Sequence, residues 1–249
     1  MALAATDHVA PESGVAGPKA ANDLGKATAH LRRTMVERQL RPYDVVDLPV
    51  LNRFLEVPRE VFLPPALEAV AYSDLAIPAK GDSGAASRAM PAPLVLARFL
   101  QVAEIQPGHR VLDVAGGTGY PAALLSGLAA DVTALESEAE LVAQARKNLD
   151  EVGATGVRLE CGPLEKGVPG AAPFDVILVH GAVEANLDDL LRQLTPNGRL
   201  IAYMRLAGGG GMKVVAFERS EGNAAGVRPL FDAAAPVLPA FARAPAFVF

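Results

Sequence analysis

The segment of residues 110–120 constrains the fold of this chain more than any other part of its sequence. It begins with a short apolar run, Arg110–Val114, which predicts a buried strand. A helical pattern follows over residues 121–130. Three glycines stand between them: Gly116, Gly117 and Gly119. Glycines at a strand-to-helix turn allow tight backbone angles and the close approach of a ligand, and the free N–H groups of the helix face that ligand.

A second predicted strand, residues 132–136, ends in an acid, Glu136. In nucleotide-binding folds a carboxylate about twenty residues after the glycine turn accepts hydrogen bonds from a ribose diol. Strand, glycine turn, helix, strand and acid together are typical of the nucleotide-binding half of a doubly wound sheet. A turn without a ligand would show similar glycines, but the acid at the expected distance favours a nucleotide.

The spacing of the glycines leaves two kinds of nucleotide open. The strict dinucleotide pattern G-x-G-x-x-G is not met, although Gly117, Gly119 and Ala122 fit its looser form with alanine in third place. The segment more closely resembles motif I of S-adenosylmethionine-dependent methyltransferases, E/D-x-G-x-G-x-G. Asp113 and both glycines match that motif, and Ala115 stands where its first glycine would be.

Composition narrows the class of protein further. The chain has 249 residues, of which 51% are hydrophobic and 20% are charged, which is enough for one large domain. The net charge of -5 argues against a general nucleic-acid binder, which needs a basic surface. No apolar run approaches the roughly 18 residues of a membrane span. Residues 1–8 lack the apolar core of a signal peptide, so we expect a cytoplasmic location.

Residues that bind metals or form disulfides are sparse. The single cysteine, Cys161, permits neither an internal disulfide nor a cysteine-based metal cluster, and we expect an ordinary buried thiol there. The four histidines show no metal-ligand spacing: His8, His30, His109 and His180. We therefore predict no metal site. The sequence leaves the oligomeric state open.

The chain divides into a tail and one domain. Residues 1–26 show no apolar periodicity and are predicted to be a disordered tail. The single domain, residues 27–249, consists of a helical extension on the substrate side, residues 27–100, and a cofactor-binding α/β core, residues 101–249.

Hydrophobic periodicity predicts the remaining elements. The first helix begins at Asn22 or Ala27 and ends at Arg41, with Leu31, Met35 and Leu40 on one face. The further predicted helices are 47–55, 65–70, 91–101, 138–151 and 187–194. Asp47 is predicted to cap the first of these, and a turn at 195–198 to close the last. Residues 71–78 are predicted to be extended. The further strands are 157–160, 174–180, 199–204, 212–218 and 227–231. Strands that alternate with helices indicate a mostly parallel, doubly wound sheet, and the late strands without helices indicate an antiparallel edge.

Several blocks outside the glycine turn point to one family. In the N-terminal half they are Met35–Leu40, Val57–Phe62 and Ala71–Ala76, and in the later half Ala172–Val179 and Gln193–Leu200. Taken together, these blocks and the glycine turn make residues 30–231 resemble the protein-L-isoaspartate O-methyltransferases. The N-terminal blocks make the resemblance specific, since methyltransferases in general do not share them.

The resemblance implies a cofactor, a substrate and a reaction. A methyl group passes from S-adenosyl-L-methionine to the α-carboxylate of an isoaspartyl residue in a damaged protein or peptide. The ester then closes to a succinimide that reopens partly as normal aspartate, which is a repair reaction. The implied cofactor-binding residues are Asp113, Ala115, Gly116, Gly117, Gly119, Glu136 and Gly162.

Two departures from the family pattern concern the site. The family's block G-x-T-I-S-x-P bears a serine at the substrate end, but here Ala89-Met90-Pro91 stands in place of Thr-Ile-Ser. Ser87 and His180 are the remaining candidates for a catalytic role. The family's Gly-Asp-Gly after the third strand is replaced by Gly162-Pro-Leu.

The lost serine leaves alternatives open. The chain is predicted to be a divergent member with weak or altered activity. The main alternative is a non-catalytic protein that uses the same fold to bind adenosylmethionine or a partner. A nicotinamide-dependent oxidoreductase is a third, weaker alternative, since both the glycine pattern and the N-terminal blocks disfavour it.

Overall fold

A computed structural model describes residues 18–78, 88–206, 211–218 and 226–243, and their side chains from residue 27 onward. The α-helices are α1 (Pro18–Met35), α2 (Leu48–Glu56), α3 (Pro93–Val102), α4 (Tyr120–Leu125), α5 (Ala139–Glu151) and α6 (Asp188–Arg192). The strands are β1 (Ile77–Pro78), β2 (Ala89–Met90), β3 (Arg110–Val114), β4 (Asp131–Glu136), β5 (Val157–Cys161), β6 (Phe174–Ala182), β7 (Leu194–Arg205), β8 (Met212–Glu218) and β9 (Gly226–Asp232). A π-helical turn, Val36–Leu40, continues α1, and short 3₁₀ turns occur at Arg41–Tyr43, Arg59–Phe62, Pro65–Val70, Leu164–Lys166, Pro169–Ala171 and Pro239–Phe241.

One seven-stranded sheet organises the domain, in the order β5-β4-β3-β6-β7-β8-β9. The pairs from β5 to β7 are parallel, and β8 and β9 are added antiparallel. The predicted doubly wound sheet with an antiparallel C-terminal edge is therefore confirmed. The chain order reverses between β3 and β6, and in such sheets the crevice outside the carboxyl ends of the strands at this point is the usual ligand site.

The helical extension packs on the core through α2, which contacts α4. The Asp47 side chain accepts a hydrogen bond from the Val50 backbone N–H at 3.1 Å, so the predicted helix cap is confirmed. Val50, Leu51 and Phe54 are buried, as the apolar stripe of this helix predicts. None of the described helices has the length and apolar character that crossing a membrane requires.

The first helix differs from its prediction. It begins at Pro18, so the predicted boundary of the tail at residue 26 falls inside α1. Residues 1–17 lie outside the described residues, and the disorder of the tail stays a prediction. Met35 and Leu40 are buried as predicted, but Leu31 is 47% exposed, because burial along this segment begins only at Met35.

Helix α4 is shorter than its pattern predicts and ends at Leu125. The Arg53 side chain of α2 donates to the carbonyl oxygens of Ala123 and Leu124, at 2.8 and 3.1 Å. These carbonyls thereby gain partners outside the helix. A side chain at Gly127 would overlap the Arg53 guanidinium, so this glycine leaves room for the contact.

Two other segments were wrongly predicted. Residues 71–78 form mostly turns, and only Ile77–Pro78 pairs as a strand, with Ala89–Met90. The turn predicted at 195–198 belongs to β7, which begins at Leu194. The pairing of β6 with β7 shifts register between Phe174 and Val176, and this irregularity accommodates the turn-forming residues inside the strand.

Candidate functional site

Two predicted site residues meet where β3 and β6 end. The Nε2 of His180 donates to Oδ1 of Asp113 at 2.6 Å, and both side chains are 1% exposed. The two other polar atoms of this pair, Nδ1 of His180 and Oδ2 of Asp113, have no hydrogen-bond partner within the described part of the chain. Buried polar atoms are usually satisfied, so this pair can still accept a ligand or water.

The glycine turn after β3 adopts the backbone conformation that its composition predicts. Gly117 and Gly119 have φ angles of +68° and +96°. A Cβ at Gly116 would collide with the Asp113 carboxylate, so the Oδ2 atom lies directly over this glycine. The turn therefore leaves the space beside Asp113 free of side chains.

Ala115 occupies the first position of the turn and also has a positive φ, of +62°. Its backbone N–H donates to the Leu135 carbonyl at 3.0 Å, which ties the turn to β4. This is the position where motif I has glycine. Here an alanine takes a backbone conformation that favours glycine, at a strain of about 1–2 kcal/mol.

The turn is held from two sides. The Thr118 hydroxyl donates to the Phe62 carbonyl at 2.7 Å, and the Asn148 side chain donates to the Thr118 carbonyl at 3.0 Å. Phe62 belongs to the N-terminal block Val57–Phe62 and Asn148 to α5. The N-terminal extension therefore takes part in forming the glycine turn.

Glu136 lies at the end of β4, next to the turn, and is 5% exposed. Its Oε1 accepts from the Gly117 N–H at 3.1 Å, and its Oε2 from the Ser137 N–H at 3.0 Å. Arg88 binds both oxygens, with Nε 2.8 Å from Oε1 and Nη2 3.1 Å from Oε2. The sequence predicted an acid at the end of this strand, as observed, but gave no signal for Arg88, which is 48 positions away.

The space between these groups is small. The cavity bordered by the turn, Asp113 and Glu136 encloses about 10 Å³, roughly what one water molecule needs. A second cavity of about 650 Å³ lies between residues 60–68 and α5, and it meets the turn at Thr118.

His180 is also packed against aromatic rings. Phe99 of α3 lies between it and Tyr203, with ring centroids 5.3 Å from His180 and 5.1 Å from Tyr203. Burial raises the pKa of the Tyr203 hydroxyl. The predicted catalytic role of His180 stays a prediction, and Ser87 lies outside the described residues.

Residues 89–91, which lack the family's serine, lie against the buried side chain of Arg59. Arg59 is fully buried and donates to the carbonyl oxygens of Pro91 and Ala71, at 2.7 and 2.8 Å. Burial lowers the pKa of this guanidinium, which also lies 5.1 Å from the centre of the Tyr120 ring. The backbone at Pro91 is thus fixed, and the segment from Ala89 to Pro91 presents no hydroxyl.

The turn after β5 departs from the family pattern in a different way. The Gly162 N–H donates to the Glu136 carbonyl at 2.9 Å, so this predicted cofactor residue lies beside the acid. Leu164 of the following 3₁₀ turn is buried. The prediction that Cys161 is buried is wrong: its thiol is exposed, because β5 forms the edge of the sheet.

A doubly wound sheet with a glycine turn after β3 and an acid at the end of β4 defines a nucleotide-binding α/β domain. The sequence profile of the family described as protein-L-isoaspartate(D-aspartate) O-methyltransferase matches residues 32–226. The chain belongs to this family, and its cofactor is S-adenosyl-L-methionine.

Individual relatives agree with this assignment. The chain is 39% identical over 188 residues to protein-L-isoaspartate O-methyltransferase 2 of Marinobacter nauticus, which covers 76% of this chain and 84% of the relative. It is 43% identical over 187 residues to the protein-L-isoaspartate O-methyltransferase of Bordetella parapertussis, covering 74% and 70% of the two chains.

Solved structures show the same fold. A protein-L-isoaspartate O-methyltransferase structure superposes with a TM-score of 0.72 at 26% identity, covering 84% of this chain and 67% of the other. A Plasmodium falciparum structure of the same description, in complex with S-adenosyl-L-homocysteine, superposes with a TM-score of 0.68 at 19% identity and covers 86% and 98%.

Proposed function

We propose that this enzyme transfers a methyl group from S-adenosyl-L-methionine to the α-carboxylate of isoaspartyl residues in damaged proteins and peptides. The observation that carries the proposal is the pair of acidic side chains at the glycine turn. Asp113 has a buried oxygen without a partner in the described part of the chain, and Glu136 lies on the other side of the turn.

The residues present fit this cofactor. The Oδ2 atom of Asp113 is buried, unpartnered and placed over Gly116, where it would accept from the cofactor's amino group. The positive φ of Gly117 suits close approach of a ligand to the backbone, whereas the missing side chain of Gly119 leaves room for Ala145 of α5. Glu136 would accept from the ribose hydroxyls. Gly162 donates to the Glu136 backbone carbonyl and Ala115 begins the glycine turn, so both lie next to these groups.

The protein's contribution to the reaction is alignment. The bound cofactor supplies an electrophilic methyl group on a sulfonium. The substrate carboxylate is already ionised at neutral pH and requires no general base, so the enzyme gains rate by holding the two reactants in line and by excluding water. Held by Asp113, Glu136 and the glycine turn, the cofactor would supply its methyl group to an oxygen of the substrate carboxylate.

The alternatives are less well supported. Family membership and the named relatives favour an enzyme over a non-catalytic binding protein. They also disfavour the nicotinamide-dependent oxidoreductase that the looser glycine pattern left open. The cytoplasmic location, the lack of nucleic-acid partners and the division at residue 26 remain predictions.

Two measurements test the proposal. Isothermal titration with S-adenosylhomocysteine should show binding, and labelled S-adenosyl-L-methionine should methylate an isoaspartyl peptide. The matched control is the same peptide with normal aspartate, which should accept no label. Equal labelling of both peptides, or no binding of S-adenosylhomocysteine, would contradict the proposed function.

A further inference from the structure

The acceptor sites of Glu136 are fully used within the protein. An ionised carboxylate offers about four lone-pair sites. Four donors meet Glu136: Arg88 Nε and the Gly117 N–H at Oε1, and Arg88 Nη2 and the Ser137 N–H at Oε2. The two hydroxyls of a ribose diol can therefore bind this carboxylate only if two of these donors leave.

Arg88 is the partner that can leave. The Gly117 and Ser137 N–H groups belong to the backbone beside the turn, so their positions are set by the fold. Arg88 supplies its two bonds from a side chain, as a fork that matches the diol in number. Its guanidinium also bonds the Ser137 hydroxyl at 2.9 Å.

Burial and volume agree with this competition. The Arg88 and Glu136 side chains are 3% and 7% exposed. The cavity beside Glu136, about 10 Å³, is far smaller than a nucleoside. A ribose that binds both oxygens of Glu136 must therefore make room there, and Arg88 holds both oxygens.

We propose that Arg88 competes with the cofactor's ribose for Glu136, and that its guanidinium must leave this carboxylate before the ribose can bind there. This inference rests on the proposed function, in which Glu136 holds the ribose.

The competition lowers the apparent affinity for the cofactor. When the binding-competent state is only partly populated, the apparent dissociation constant rises by the inverse of its population. If the ion pair is closed about nine-tenths of the time, its removal tightens binding about tenfold. The effect acts through Glu136 and disappears when this carboxylate is absent.

Titration of S-adenosylhomocysteine into four proteins tests the inference: the unmodified chain, Arg88→Met, Glu136→Gln and the double variant. Arg228→Met, which removes a guanidinium from an exposed ion pair on the β8–β9 edge, is the matched control. We expect Arg88→Met to bind about tenfold more tightly, Glu136→Gln to bind more weakly, and the double variant to resemble Glu136→Gln.

The outcomes separate the two proposals. Weaker or equal binding by Arg88→Met, with Glu136→Gln still impaired, overturns the competition and leaves the cofactor site standing. A gain from Arg88→Met that persists in the double variant shows that Arg88 merely fills space, and it also overturns the inference. Absence of binding in all of the proteins refutes the proposed cofactor site, and the competition with it.

A measurement on the unmodified chain covers the case in which Arg88→Met does not fold. The Nε–H nuclear magnetic resonance signal of Arg88, identified by its loss in Arg88→Lys, should shift at saturating S-adenosylhomocysteine. The Nε–H of Arg53, bonded to the Leu124 carbonyl 3.1 Å away, should stay in place. An unmoved Arg88 signal overturns the inference.

Discussion

At the scale of single residues, the site keeps the backbone of a cofactor-binding turn while two of its side chains depart from the family. Ala115 retains a positive φ without being glycine, and Pro91 replaces a hydroxyl. Each departure has a physical effect that one substitution can isolate.

Ala115→Gly should change the stability of the protein only slightly. The substitution relieves a left-handed strain of about 1–2 kcal/mol. Two losses oppose this gain: about 0.4–1 kcal/mol of entropy that glycine adds to the unfolded chain, and about 0.8 kcal/mol for the buried Ala115 methyl. We expect a net change of less than about 1 kcal/mol, or at most roughly 4 °C in Tm, in calorimetry. Ala143→Gly, on the exposed face of α5, is the control without strain or burial and should cost about 1 kcal/mol. A loss clearly larger than that of Ala143→Gly would show that the backbone at Ala115 is unstrained.

Pro91→Ser should raise turnover on an isoaspartyl peptide. A hydrogen bond to a charged group contributes about 1.5–3 kcal/mol, so a restored hydroxyl should raise kcat/KM by about ten- to a hundredfold. The unmodified enzyme should accordingly be slow. Ala92→Ser, which puts the same hydroxyl one residue further along, should give no gain. Fast turnover by the unmodified enzyme would show that another donor serves the substrate carboxylate.

At the scale of elements, the helical extension is joined to the cofactor-binding core by side-chain bonds to helix ends. Arg53 connects α2 to the last carbonyls of α4, and Thr118 connects the glycine turn to Phe62. The turn therefore depends on elements from both halves of the chain.

Arg53→Met should loosen the contact between α2 and α4. It removes two hydrogen bonds from a charged group, so we expect a loss of about 1.5–3 kcal/mol and a Tm lower by roughly 3–12 °C. The control is Arg228→Met, whose ion pair with Glu218 has side chains 53% and 45% exposed and contributes less than about 1 kcal/mol. Equal losses in the two variants, measured by urea unfolding, would mean that the bonds to α4 add no stability.

At the scale of the whole molecule, three of the four tyrosines are buried where the extension and the core pack together. Burial raises the pKa of Tyr120 to about 12 and also raises the pKa of Tyr72 and Tyr203. Tyr120 packs edge-on against Phe54, with ring centroids 6.1 Å apart. The neutral form of each hydroxyl is thus favoured by the fold.

Stability should fall at alkaline pH. The unfolded chain loses its tyrosine protons near pH 10, whereas the folded chain keeps the proton of Tyr120 until about pH 12. The stabilising effect is therefore complete below about pH 10 and is lost as the pH rises toward 12, with a slope of up to about 1.4 kcal/mol per pH unit for each tyrosine.

Urea unfolding between pH 8 and pH 11 measures this slope. Tyr120→Phe should reduce it, while Tyr43→Phe should not, since the Tyr43 side chain is exposed. Identical slopes in Tyr120→Phe and the unmodified protein would show that Tyr120 titrates normally in the folded state.

Local patterns in the sequence were enough to predict the glycine turn, the acid at the end of β4 and the mostly parallel sheet with its antiparallel edge. These patterns involve only a few neighbouring residues: the periodicity of strands and helices, and the turn preference of glycine. They can therefore be identified from the sequence before any packing is known. The early end of α4 was missed, because its last turn makes contacts with an α2 side chain that is distant in the sequence.

The state of the site was decided by the tertiary structure alone. Arg88 meets Glu136 across 48 positions, His180 meets Asp113 across 67, and Arg59 meets the Pro91 carbonyl across 32. Such pairs depend on how the strands order in the sheet and on how the extension folds back over it. The periodicity of the sequence does not indicate these pairs, because the free energy that forms them comes from burial shared by residues distant in the chain.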